Sequence, residues 1–269
     1  MSFLNNEDKM RALRNVECFV LDMDGTFNLG MEIIPGAMDF YNKAIDSGRR
    51  VVFLTNNSSR DGNHYVQKLN NMGCPAVKED VYTSGMATCQ YVLREFPGKK
   101  AYLLGNEHLK AEFVRYGIEI CEDDPDIVVV GFDTTLDYDK MTRVCHLVYD
   151  GLPYIATHPD FNCPTETGFI PDIGAIMAFI EASTERRADI VVGKPNSEIM
   201  RGLMQMTKLP KDKIAICGDR LYTDIATGVN FDILSICVLT GETALEDIEK
   251  SDVKPDLVFE RLGDIAEYL

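Results

Sequence analysis

Two aspartates one residue apart, Asp22 and Asp24, end an apolar run and are followed at once by Gly25 and Thr26. Carboxylates that close repel by about 4 kcal/mol at 4 Å in a protein-like effective dielectric, so a chain that keeps both ionised usually supplies a cation. Thr55, Lys194 and the pair Asp219 and Asp224 stand at similar places, behind other short apolar runs. Alone, an aspartate after a strand is commonly a turn former or helix cap, and a lysine is commonly solvated. Acid, hydroxyl, base and acid offered together at four strand ends suit phosphoryl transfer through the protein.

Asp22, on the strand itself, is the candidate nucleophile, because a carboxylate can form an aspartyl-phosphate and split one hard displacement into two easier ones. Asp24 is the candidate acid-base: it can protonate the leaving oxygen and later deprotonate a water, help worth about 10² to 10⁴ in rate. Asp219 adds a third carboxylate, so a hard, oxygen-seeking cation is expected. Mg2+ fits, because it binds few carboxylates and keeps substrate phosphate and waters as its other ligands. Thr55 and the backbone N–H groups after it would hold phosphate oxygens at a helix start, and Lys194 would neutralise charge on Asp22 and the transferring group.

The elements that must position these residues alternate. Residues 17–21 read as a buried strand, residues 35–45 carry helical spacing behind Pro35, Gly48 closes that helix, and residues 50–54 form a second strand. Strand, helix and strand in that order make a βαβ unit with a parallel sheet. The tail repeats the theme, with strands over 189–192, 213–217 and 233–238 and helices over about 197–208 and 223–230. In open α/β sheets the ligand crevice lies outside the carboxyl ends of the strands, where strand order reverses. Between the flanks lie strands over 100–104, 126–130 and 153–156, with helices over about 106–116 and 138–150. One doubly wound domain of 269 residues would be large, so an inserted α/β domain over about 82–186 is expected, leaving 1–81 and 187–269 to build one discontinuous core.

Bulk properties exclude several classes. With 45% hydrophobic and 26% charged residues the chain can pack a core. The formal net charge is −16 with scattered basic residues, which argues against nucleic-acid binding. No apolar run approaches the roughly 20 residues needed to span a bilayer, and residues 1–8 lack signal-peptide character, so a soluble cytoplasmic protein with no membrane partner is expected. The eight cysteines include no C-x-x-C pair and read as reduced thiols, and the four histidines show no zinc spacing. An EF-hand loop starting at Asp22 would need glycine and glutamate where Phe27 and Ile33 stand, and neither G-x-x-x-x-G-K-[ST] nor G-x-G-x-x-G occurs.

These residues resemble the four motifs of the haloacid dehalogenase superfamily. Asp22-Met23-Asp24-Gly25-Thr26 is similar to the first, Leu54-Thr55-Asn56-Asn57 to the second, Gly193-Lys194-Pro195 to the third, and Gly218-Asp219-Arg220-Leu221-Tyr222-Thr223-Asp224 to the fourth. The resemblance implies a doubly wound, Rossmann-like core with an inserted α/β cap. Dehalogenating relatives lack the second aspartate of the first motif, so Asp24 implies a phosphatase. It also implies that Asp22, the backbone carbonyl of Asp24, and Asp219 ligate Mg2+, with Asp224 supporting them. The long insertion is placed as in the NagD-like branch, which includes p-nitrophenyl phosphatases. Residues 129–133, 155–160 and 193–197 are similar to that branch's recurring segments.

One departure is His158, where the branch commonly has asparagine. Substrate-binding candidates are therefore Thr55, Asn56, Asn57 and Lys194, with His158 and Asp160 in the loop over 158–170; the alternative is that His158 and Asp160 only shape a turn before Pro164. The expected substrate is a small phosphomonoester such as a nucleoside monophosphate, a sugar phosphate or p-nitrophenyl phosphate. A sugar phosphomutase and a catalytically idle phosphometabolite-binding regulator are the alternatives. Caps of the related branch often contribute to dimers, which leaves a homodimer through the cap open.

Overall fold

The computed structural model describes residues 7–165 and 167–269. Expectations that fall on residues 1–6, or on position 166 of the 158–170 loop, lie outside the described residues. The chain divides into two compact units. The first takes the described residues up to Thr55, then Tyr65–Tyr82 and Lys194–Leu269; the second takes Asn56–His64 and Thr83–Gly193.

The first unit is built on a six-stranded sheet in the order Leu257–Phe259, Leu234–Val238, Ile214–Gly218, Cys18–Leu21, Arg50–Thr55, Val81–Thr83. The Cys18–Leu21 strand runs parallel to both neighbours, with Leu21 opposite Cys217 on one side and Phe53 on the other. All four of its residues are buried, as a strand covered on both faces requires, and this is why it reads as an unbroken apolar run. Strand order reverses beside it: from Cys18–Leu21 the sheet grows one way with the next strands of the N-terminal flank and the other way with those of the tail. The expected doubly wound α/β architecture is thus present, and its crevice falls at the ends of Cys18–Leu21 and Ile214–Gly218.

Packing under the crevice is aromatic. The helix Ala37–Asp46 buries Phe40 and Tyr41, and Phe40 meets Phe19 edge-on at 5.1 Å between ring centroids. Phe27, from the turn after Asp24, meets Phe53 at 4.8 Å, so the segment carrying the two aspartates is anchored on the next strand. The helix read over 223–230 differs in the structure. A wide turn over Leu221–Ile225, closed by the Ile225 N–H donating to the Arg220 carbonyl at 3.2 Å, precedes a helix over Ala226–Phe231. This widening, a frequent device at functional sites, turns Asp224 fully inward.

The second unit has its own parallel sheet in the order Ile190–Val191, Tyr154–Ala156, Ile127–Val130, Ala101–Leu104. Helices over Glu107–Arg115 and Tyr138–Tyr149 start where capping residues place them. The Asn106 side chain accepts from the N–H groups of His108 and Leu109, and Asp137 from that of Lys140. Two features differ from the sequence reading. The strand Ile190–Val191, read with the tail, pairs with Tyr154–Ala156; the Tyr154 N–H donates to the Asp189 carboxylate at 2.7 Å and locks that edge. An antiparallel hairpin, Asn162–Thr165 with Gly168–Pro171, leaves Phe161, Phe169 and Ile170 exposed. Among the described residues no helix is long and apolar enough to cross a membrane.

Candidate active site

Asp22 follows its strand directly, and its N–H donates to the Cys217 carbonyl at 2.9 Å, which ties it to the far side of the strand reversal. Asp219 leaves the neighbouring strand Ile214–Gly218, and Asp224 follows in the wide turn. One carboxylate oxygen from each of Asp22, Asp219 and Asp224 lies within 4.8 Å of the others. Lys194 bridges the group: its Nζ is 2.5 Å from Asp22 Oδ1 and 2.6 Å from Asp224 Oδ1, and it donates to the Leu54 carbonyl at 3.3 Å.

Burial sets the electrostatics. For Lys194 burial disfavours the ammonium, but the Asp22 and Asp224 carboxylates override it and its pKa is raised. For Asp224 burial, reinforced by the charges of Asp22 and Asp219, pushes the carboxyl up against the pull of Lys194. Burial and the Asp22 charge likewise raise Asp219, against hydrogen bonds from the Glu242 N–H (2.8 Å) and Thr26 Oγ1 (3.1 Å). The chain closes tightly here. A Cβ on Gly25, which sits at φ +96°, would stand 2.5 Å from Asp219 Oδ2, and one on Gly241 would stand 2.0 Å from the same atom.

The donor set is oxygen only, it is preformed by strand ends, and its three carboxylates outnumber the lysine that bridges two of them. Such a set fits a hard divalent cation far better than a soft one. Asp22, Lys194, Asp219 and Asp224 are therefore brought together. Thr55, buried, closes the Arg50–Thr55 strand one residue beyond the carbonyl that Lys194 holds.

Asp24 stands apart from this group. Its side chain is 53% exposed, and its Oδ1 accepts from Asn28 Nδ2 at 2.7 Å and Lys68 Nζ at 3.2 Å. Met23 between the two aspartates turns into the core. Lys68 and Arg220 escaped the sequence reading. Arg220 Nε lies 3.1 Å from Glu242 Oε2; burial lowers the guanidinium pKa, but nearby anions, Asp22 foremost, leave it raised. Its only sequence signal is its place directly behind Asp219.

The other candidates lie in the second unit. Asn56 Nδ2 donates to both oxygens of Asp160, at 3.2 Å each. Asn57 Oδ1 accepts from the Ser59 N–H at 2.9 Å, forming a local turn, and the helix expected directly after Thr55 begins only at Gly62. His158 is completely buried, so direct contact between its ring and a substrate has no support in the structure.

Comparison with known proteins identifies the family. A family profile described as haloacid dehalogenase-like hydrolase matches residues 19–119, and a second HAD-hydrolase-like profile matches residues 191–265. An acid sugar phosphatase of Staphylococcus saprophyticus is 34% identical over 258 residues, covering 96% of this chain and 99% of that protein. The crystal structure of a 4-nitrophenylphosphatase from Thermotoga maritima superposes with a TM-score of 0.93 at 46% identity, covering 95% of this chain and 98% of the other. A p-nitrophenyl phosphatase from Archaeoglobus fulgidus gives 0.90 at 32% identity, covering 94% and 99%.

Proposed function

The chain belongs to the haloacid dehalogenase-like hydrolases and is a phosphatase of that family; from that premise we propose that it hydrolyses small organic phosphomonoesters through an aspartyl-phosphate on Asp22, with Mg2+ as its metal. The observation that carries this reading is the convergence of Asp22, Asp219 and Asp224 about Lys194 at the strand reversal.

An Asp22 carboxylate oxygen attacks phosphorus, the bond from phosphorus to the ester oxygen breaks, and the leaving oxygen takes a proton from Asp24. Asp24 then removes a proton from water, whose oxygen attacks the same phosphorus; the bond to Asp22 breaks and inorganic phosphate leaves. Thr55 holds a phosphate oxygen through its hydroxyl, and Lys194 pairs with Asp22 and orients it. Asp22, Asp219 and the Asp24 carbonyl would hold the Mg2+, with Asp224 behind them. When bound, the ion offsets the negative charge of carboxylates and phosphate.

The second unit, corresponding to the insertion expected over about 82–186, is the proposed source of ester selectivity, with Asn57 and Asp160 as the residues to vary. Sugar phosphates fit the activity for which the staphylococcal relative is named, and p-nitrophenyl phosphate that of the Thermotoga maritima and Archaeoglobus fulgidus proteins. Asp22→Asn is expected to abolish Mg2+-dependent release of phosphate from p-nitrophenyl phosphate while leaving the circular dichroism spectrum unchanged. Wild-type turnover in that variant would reject the reading, and conversion of a hexose phosphate to an isomer without phosphate release would favour a mutase.

A further inference from the structure

His158 is buried at 0% exposure, and neither ring nitrogen makes a hydrogen bond. A buried polar group left in that state costs stability, so its presence calls for an explanation. Its two edges face two carboxylates: Nδ1 is 3.5 Å from Asp160 Oδ2, and Nε2 is 3.6 Å from Asp172 Oδ1. Asp160 in turn holds the Asn56 amide through both oxygens. Gly193 packs against the root of the side chain: a Cβ there would stand 2.6 Å from His158 Cβ and 2.7 Å from Asn56 Oδ1. The Gly193 N–H donates to the Thr157 carbonyl at 2.8 Å, which fixes that approach.

Asn56 and Gly193 are the first and last residues of the second unit along the chain, and they follow Thr55 and precede Lys194 in sequence. We infer that His158 is a positioning residue: it braces the backbone at Asn56 through Asp160 and at Gly193 by packing, the two residues of the second unit that are bonded along the chain to Thr55 and Lys194. Asp172, which faces the opposite edge of the ring, caps the helix Ile173–Thr184 by accepting from the Ile173 N–H at 2.7 Å, so the ring packs beside a rigid element. The inference rests on the phosphatase reading for its catalytic consequence and on the second unit alone for its structural one.

Three variants test it in the full-length protein. His158→Leu keeps bulk but removes both polar edges; His158→Asn keeps a donor near the Nδ1 position facing Asp160; His158→Gln places one near the Nε2 position facing Asp172. Misplacing catalytic groups by about 1 Å can cost about 10²-fold. With p-nitrophenyl phosphate at saturating Mg2+, kcat is therefore expected to fall at least about 10-fold in His158→Leu and His158→Gln, with KM within about 3-fold, and to recover in His158→Asn. Amide hydrogen exchange over residues 56–58 and 193–194 is expected to quicken in the Leu variant and to return towards wild type in the Asn variant. Unchanged kcat and exchange in His158→Leu would overturn the inference, as would a loss confined to KM or a kcat loss without faster exchange at those two segments. Should His158→Leu not fold, an equal effect of the Asn and Gln variants overturns it and the predicted split supports it. If the wild-type protein hydrolyses no phosphate ester, the phosphatase reading fails while the exchange comparison still decides the brace.

Discussion

Replacing Lys194 by methionine tests the electrostatic reasoning most directly. The ammonium is buried with every donor direction used, at 2.5 Å from Asp22, 2.6 Å from Asp224 and 3.3 Å from the Leu54 carbonyl. Methionine fills much of the same volume but leaves the Asp224 carboxylate, 1% exposed, with no cation. Breaking a buried ion pair by removing one partner costs about 3–5 kcal/mol. Proton uptake by Asp224, already pushed up by burial, holds the cost towards the lower end. At about 2–4 °C per kcal/mol for a chain of this size, the unfolding midpoint of the metal-free protein is expected to drop by about 10 °C. Turnover should fall by about 10² to 10³, the usual effect of losing one preorganised electrostatic group. Calorimetry without metal and p-nitrophenyl phosphate turnover with Mg2+ give the two readouts. Lys194→Met combined with Asp224→Asn should regain part of the stability, since no buried charge is then unpaired, while turnover stays low. A Lys194→Met protein that melts within about 2 °C of wild type would refute the argument that this ammonium holds the carboxylate cluster together.

Gly241→Ala would drive a Cβ to 2.0 Å from Asp219 Oδ2, so activation should require at least about 10-fold more Mg2+, read from the Mg2+ dependence of turnover with folding checked by melting. Asp219→Asn should raise the metal-free melting midpoint, by a stabilisation of about 0.5–2 kcal/mol, because burial and Asp22 disfavour the charged carboxylate. It should also abolish turnover, and Mg2+ should stabilise the wild type alone; an equal Mg2+ shift in both proteins would count against Asp219 as a ligand. Asp133 gives a pH test away from the site. Burial opposes its ionisation, but Lys140 at 2.8 Å and Thr135 through its hydroxyl and N–H hold the carboxyl below the ordinary aspartate range. A depressed folded value means the stabilisation is present above the unfolded value and lost as pH falls through the folded one. Urea unfolding should therefore show stability decreasing below about pH 4, with a shallower decrease in Asp133→Asn.

The legible parts of the sequence were those that depend on local pattern. Asp22 and Asp219 could be placed because parallel strands covered on both faces are apolar runs, and the first aspartate behind each run marks its carboxyl end. The depth of Asp224 could not, since it follows from an N–H five residues along closing on the Arg220 carbonyl, a spacing that leaves no mark in residue type. The hairpin over 162–171 was hidden for another reason: with Pro164 and Pro171 in its arms and most residues exposed, it shows neither alternation nor an apolar run. The sheet partner of Ile190–Val191 is a tertiary choice, because the run of three apolar residues ahead of Gly193-Lys194 carries no mark of which sheet it joins. Lys68 and Arg220 look like ordinary surface charges until Asp24 and Glu242 are seen beside them.

Segments far apart in sequence bring an excess of negative charge together at the site. Asp22, Asp219, Asp224 and Glu242 face Lys194 and Arg220, which leaves two negative charges uncompensated when all are ionised, the deficit that one divalent cation removes. Carboxylates this close would relieve their repulsion by turning to solvent wherever their segments allowed it. Strand ends and the wide turn deny them that freedom: Asp22 is tied to the Cys217 carbonyl, Asp219 is held by the loop carrying Gly241 and Glu242, and Asp224 is sealed by burial. Asp24 lies outside the cluster because its proposed task is different. An acid-base must meet the leaving oxygen and then a water from solvent, and its half-exposed carboxylate, steadied by Asn28 and Lys68, is open to both.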